Sequence, residues 1–271
     1  MISRLRRLFF PALRVSAREV EGPPPPRETL IQTALRDMRF EPETPNVMFE
    51  GVTAERVDFS GLSFWSFTAE GCRFIECDFS RVQVEWLPFA NGDSLFRDCR
   101  FEGARIGDFG DVRLERCQFV DAYLEGWFTF AADLVECRFA GRLNGVVFNG
   151  RDDTGRGRNE FVGNDFREAD LDDVDFRDID LDAQLLPEGD EYIRLRDVQE
   201  RVTAVRKIVK KWPQDAARAD AEEMLRLVES VYEDESDIFT KRGFLIEMAD
   251  SPEVGERVLE LLSPPESRDP T

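Results

Sequence analysis

Cys72-Arg73-Phe74-Ile75-Glu76 and Cys77-Asp78-Phe79-Ser80-Arg81 are two consecutive copies of one five-residue pattern. It returns in Asn164-Asp165-Phe166-Arg167-Glu168, Ala169-Asp170-Leu171-Asp172-Asp173 and Val174-Asp175-Phe176-Arg177-Asp178. A bulky apolar residue holds the centre, and a small or medium apolar residue stands two places earlier. The other three positions are mostly Asp, Glu, Arg, Ser and Gly. Working outward, centres recur every five residues from 49 to 89, and after two extra residues (Gly92, Asp93) at 96, 101 and 106. Phe109 to Asp111 read as three further insertions before centres at 114 to 139. One residue is lost before Leu143 and Phe148. Eight inserted residues, 151 to 158, then precede centres at 161, 166, 171, 176 and 181. About 25 units fill 47–183, and so long a fixed period marks a repeat architecture.

A period of five fits neither the helical 3.6 nor the strand 2, so each unit must turn the chain through a corner. Two positions in five then face inward. The expected core comprises Phe59, Phe64, Phe74, Phe79, Phe101, Phe119, Phe139, Phe166, Leu171 and Phe176, with Cys72, Cys77, Cys99, Cys117 and Cys137 at the earlier inward position. The pattern resembles the pentapeptide-repeat family, whose consensus is Ala-(Asp/Asn)-Leu-x-x, often with Phe at the centre. The resemblance implies a mainly β fold, a right-handed quadrilateral β-helix of four units per coil. Four units per coil give about six coils, roughly 30 Å long at a strand-like spacing. Each coil buries its inner residues only against its neighbours, and both open ends require capping.

The flanks supply candidate caps. Residues 1–26 form a basic amphipathic tail and polyproline linker: Arg4, Arg6, Arg7, Arg14 and Arg18 oppose Ile2, Leu5, Leu8, Phe9, Ala12 and Leu13 on a helical wheel, interrupted by Pro11. Such a segment can lie on an anionic membrane surface, although an interior proline costs a helix about 3 kcal/mol. Residues 27–46 are expected to be an N-terminal cap, with Arg27 to Phe40 as a short helix. Residues 184–271 read as an α-helical module. Leu195, Val198, Val202, Val205, Val209 and Trp212 make one stripe, Ala217, Ala221, Met224, Val228 and Val231 a second. A helical segment follows over Asp237 to Ala249, and Ser251 with Pro252 opens a last helix. The module is expected either to cap the last coil or to form a homodimer or bind a partner.

The chain carries 36 basic and 56 acidic residues, a net −20. The repeats contribute 15 basic and 29 acidic residues, a net −14, which argues against direct nucleic-acid binding by the rod. No cysteine pair has zinc-site spacing, and the absence of histidine removes Ser-His, Cys-His and His-metal sites. No P-loop appears. The expectation is a protein without cofactor or metal, and not an enzyme. Five buried thiols suit the reducing cytoplasm, and the apolar run Leu8 to Leu13 is too short for a signal-peptide core.

Two features remain as candidate interaction sites. One is the inserted loop carrying Arg151, Asp152, Asp153, Arg156 and Arg158, since loops on rigid scaffolds often carry function. The other is an acidic face of Asp165, Glu168, Asp170, Asp172, Asp173, Asp175, Asp178, Asp180 and Asp182, offset in the sequence only by Arg167 and Arg177. The leading expectation is an interaction scaffold for a protein partner. The family resemblance adds a rival: some pentapeptide-repeat proteins are DNA mimics that bind DNA gyrase. Over roughly 30 Å, the repeats' net charge approaches the one per ~1.7 Å of duplex DNA.

Overall fold

The computed structural model describes residues 24–86, 89–90, 92–107, 109–124, 127–129, 131–152 and 157–263. The amphipathic segment 2–20 lies outside them. Among the described residues no helix is long and apolar enough to cross a membrane. Two units are distinguished, one ending at Pro187 and one beginning at Glu188.

The first unit is a parallel β-solenoid. Its longest side stacks seven strands: Ala34–Arg36, Thr53–Glu55, Arg73–Ile75, Ser94–Arg97, Val112–Glu115, Asp133–Val135 and Phe161–Val162. The paired centres Leu35, Ala54, Phe74, Phe96, Leu114, Leu134 and Phe161 are 19, 20, 22, 18, 20 and 27 residues apart. A coil is therefore about 20 residues, four five-residue sides, and seven layers rise roughly 29 Å. The following side carries a phenylalanine ladder. Phe59, Phe79, Phe101, Phe119, Phe139 and Phe166 stack with ring centroids 4.7, 5.1, 4.8, 5.0 and 4.7 Å apart. Such ring pairs add about 0.5–1.5 kcal/mol each beyond area burial.

The corner between these two sides explains why five residues suffice to turn. Asp37, Arg56, Glu76, Asp98, Arg116 and Glu136 all adopt positive φ near 50°, a left-handed conformation that costs a non-glycine residue about 1 kcal/mol or more. Each of their N–H groups donates to a carbonyl of the next coil, for example Arg56 to Ile75 and Arg116 to Val135, both at 2.9 Å. The inter-coil bond offsets the local strain. Polar residues fill these corners because their side chains point to water.

Three expectations are corrected here. Arg27 to Phe40 is not a helix: Arg27–Ile31 pairs in parallel with Asn46–Glu50, and Ala34–Arg36 with Thr53–Glu55. Leu30, Leu35 and Phe40 keep the five-residue phase, and Phe40 is buried, so the solenoid starts at Arg27 rather than at 47. Thr44 Oγ1 and Asn46 Nδ2 donate to the Pro26 and Pro25 carbonyls at 2.6 and 2.9 Å, tying the proline corner to that first coil. Phe109 is not an insertion either. It is buried and packs against Phe89, Phe96, Phe101, Phe119 and Trp127. It fills the inside of one shortened side in the 18-residue coil. The solenoid also runs past Ala183, because the Leu185 N–H still donates to the Asn164 carbonyl at 2.9 Å.

The cysteines form a column. Cys77, Cys99, Cys117 and Cys137 occupy successive coils, all free and buried, and each thiol donates at 3.4 Å to a carbonyl of the coil below: Ala54, Phe74, Phe96 and Leu114. Burial pushes the Cys99, Cys117 and Cys137 thiols well above their ordinary pKa. Asn164 continues the column, accepting the Cys137 N–H at 3.0 Å, and Gln184 follows, donating to the Phe161 carbonyl at 2.9 Å. Here amides replace thiols and bond both neighbouring layers, Asn164 donating to the Leu134 carbonyl at 2.9 Å and to Gln184 Oε1 at 3.2 Å.

The second unit combines helices Val198–Val209, Ala216–Val231, Arg242–Ile246 and Pro252–Leu262 with an antiparallel pair, Tyr192–Leu195 and Ile238–Lys241. Leu195 thus ends a strand rather than opening the first stripe, and the segment expected to be helical from Asp237 begins as a strand. Ser251 caps the last helix by accepting the Val254 N–H. The stripe Val198, Val202, Val205 and Val209 is buried in a core shared with Met224, Leu225, Val258 and Leu259 of the same unit. That core takes up the apolar face of the helix within its own unit.

Candidate interaction surface

The inserted loop is a built hairpin. Arg151–Asp152 and Gly157–Arg158 pair antiparallel, while Asp153 and Arg156 lie outside the described residues. Gly150 leads into it with its N–H on the Arg177 carbonyl at 2.8 Å. A Cβ on Gly150 would stand 2.3 Å from the Asp178 carbonyl oxygen, so only glycine allows this close approach.

Asn159 fastens the hairpin from inside. It is buried, and its Nδ2 donates toward the carbonyls of Asn149, Thr129 and Arg151 at 2.8, 3.0 and 3.3 Å. These are carbonyls that a continuous side would have paired. Asp178 fastens it from outside: its carboxylate meets Arg151 at 2.8 Å and Arg158 at 3.8 Å. The two features separated in the sequence are therefore joined through Asp178.

The nine acidic residues do not form one face. Asp165–Asp172 is an eight-residue strand spanning two sides, Asp175–Arg177 lies on the next, and Asp180 and Asp182 belong to the turn Leu181–Ala183 beyond it. They belt the last coil. Arginines from the coil below and the hairpin also reach them. Arg138 bonds Glu168 at 2.6 Å, Arg142 bonds Asp172, and Arg167 and Arg177 hold Asp165 and Asp175 at 2.7 and 2.5 Å. The Arg167 hydrogen bond lowers the Asp165 pKa. Asp173, at a positive-φ corner, is raised by desolvation and by the nearby Asp175 and Asp172 charges. Asp180 is spent locally, accepting the Asp182 N–H at 3.0 Å, and Asp170 is exposed.

A second charged network escaped the sequence reading. On the seven-stranded side, Glu115 accepts from Arg97 and Arg113, both at 2.6 Å, and Arg113 also reaches Asp133 at 3.3 Å and Glu160 at 2.7 Å. The residues come from four successive layers, so their adjacency depends on the coil length. The polar residues Asn159 and Asn164 did carry a signal: each stands at an inward position where the repeat wants a small apolar residue.

With four five-residue sides per coil, the chain has the pentapeptide-repeat β-solenoid architecture. No family model and no curated protein matches it. Among solved structures, it is similar to full-length QnrB1, a plasmid-mediated fluoroquinolone resistance protein. That match has 18% identity, covers 59% of this chain and 92% of QnrB1, and has a TM-score of 0.25. It is also similar to HetL, a pentapeptide repeat protein involved in heterocyst differentiation regulation from the cyanobacterium Nostoc. Here identity is 17%, with 59% of this chain and 90% of HetL covered and a TM-score of 0.23. At these values neither neighbour transfers a partner to this chain.

Proposed function

We propose that this protein is a non-catalytic interaction scaffold whose solenoid presents the 151–158 hairpin and the charged belt beneath it to a protein partner. The observation that carries the reading is the double fastening of the hairpin by Asn159 and Asp178. A slack insertion needs neither, whereas a presented loop gains from being held in one geometry before it binds. The five free, buried thiols fit a reducing compartment, and we place the protein in the cytoplasm. The test compares affinity capture from source-cell extract by the intact chain and by Arg151→Ala/Arg158→Ala. A partner enriched by the first and lost with the second supports the hairpin. Identical captured sets from two equally stable proteins would sink it.

Gyrase mimicry is the second reading. The net −14 of the repeats favours it, while the arginine pairing around the last coil weakens it by neutralising the charges a mimic must display.

A further inference from the structure

The chain has only four lysines, and three of them, Lys207, Lys210 and Lys211, fall within five residues at the end of the helix Val198–Val209. All three are exposed. Among the described residues, no carboxylate lies within ion-pairing distance of any of them, although the neighbouring Arg206 is paired with Glu229 at 2.8 Å. Between them Ile208 is 43% exposed, one of the few large apolar side chains so placed. Trp212 closes the patch, with the Arg257 guanidinium 3.8 Å above its ring. Two of the lysines sit where a helix dipole favours cations. That accounts for neither the exposed Ile208 nor the stacked Arg257.

We propose that this patch is a docking site for a short acidic polypeptide segment bearing aliphatic side chains. The three lysines and Ile208 lie along about 8 Å of helix axis, and Lys207 and Lys211 share a face one turn apart. Arg257 sits over the Trp212 ring at the helix end. This arrangement matches a few carboxylates next to one aliphatic residue. An extended nucleic acid fits worse. One face of Trp212 is already covered by Arg257, and three lysines within five residues neutralise few of the phosphates that an extended duplex presents at one charge per ~1.7 Å. An anionic membrane fits worse as well, since one aliphatic side chain offers little area to insert. The proposal shares with the scaffold reading only the premise of protein binding, and it concerns a separate surface.

Fluorescence anisotropy of the full chain with a labelled peptide of Glu and Leu tests it. Comparison probes are the same peptide with Gln for Glu, a DNA duplex and phosphatidylserine vesicles. The acidic peptide is expected to bind, the Gln peptide and the other probes to bind more weakly. Lys207→Gln/Lys210→Gln/Lys211→Gln should weaken the peptide at least about tenfold, which is ~1.4 kcal/mol. Ile208→Ser should weaken it with all charges kept. Unchanged circular dichroism of both variants secures the comparison. Equal peptide binding by the triple variant, no binding by the wild type, or tighter binding of duplex or vesicles would overturn the proposal. Self-association of the wild type that the triple variant abolishes, without peptide binding, would also overturn it and assign the patch to a second copy. Arg151→Ala/Arg158→Ala should leave peptide binding intact, which separates this surface from the hairpin.

Discussion

At the scale of the residue, the solenoid makes opposite demands on its two inward positions. The centre rewards size: Phe119 is fully buried, with Phe101 and Phe139 stacked 4.8 and 5.0 Å away. Phe119→Ala should cost ~3–5 kcal/mol, read as a lowered denaturant midpoint; an unchanged midpoint would refute the packing. The position two places earlier accepts thiols, alanines and valines, and amides only where coils are missing or interrupted. Asn159→Ala should leave the Asn149, Thr129 and Arg151 carbonyls short of donors inside the rod. A loss of about 1–3 kcal/mol is expected, together with faster proteolysis at the hairpin. Stability loss without a change in hairpin cleavage would show that Asn159 does not fasten that element.

At the scale of the element, stacked sides convert sequence distance into charge ladders. Burial alone would raise the Glu115 pKa, but the hydrogen bonds from Arg113 and Arg97 prevail and hold it below the ordinary value. A carboxylate whose folded pKa is depressed contributes stability above its unfolded pKa, about 4.3. That contribution disappears as pH falls through the folded value. Urea midpoints measured from pH 6 to pH 3 should therefore drop less in Glu115→Gln than in the wild type. The variant should be the weaker protein at pH 6. Parallel curves would place the Glu115 ladder outside the stability of the rod.

At the scale of the whole molecule, charge is the property most changed by folding. In the sequence the last four units carry nine acids against two arginines, yet around the folded coil Arg138, Arg142, Arg151 and Arg158 also meet those acids. Mimicry requires carboxylates still free to meet a basic groove. A gyrase supercoiling assay at low salt should show no inhibition by micromolar wild-type protein if the arginines have neutralised the belt. Inhibition that falls in Asp170→Asn/Asp173→Asn, two exposed changes expected to move stability by less than ~0.5 kcal/mol each, would revive the gyrase reading.

The five-residue period by itself determined a repeat architecture and which phenylalanines and cysteines face inward, while the four sides were what the resemblance to the pentapeptide-repeat family implied. The physical reason is that inward and outward positions are a local property of each unit, set by side-chain size and polarity. The same locality could have extended the rod back to Leu30, Leu35 and Phe40. The helical spacing of Leu30, Ala34, Leu35 and Met38 competes there, and only pairing with the next coil decides between them. Only the tertiary structure decided which residues become neighbours across coils, because that depends on the summed length of every side between them. The two-residue gain at Gly92 and Asp93 sets Phe74 against Phe96, the shortened side at Phe109 sets Arg97 against Glu115, and the hairpin sets Arg113 against Glu160 and Arg151 against Asp178. In the second unit, the apolar stripes are legible as helices. That their faces are spent on one another, leaving Lys207, Ile208, Lys210 and Lys211 outward, follows from packing among segments distant in sequence, which no periodicity encodes.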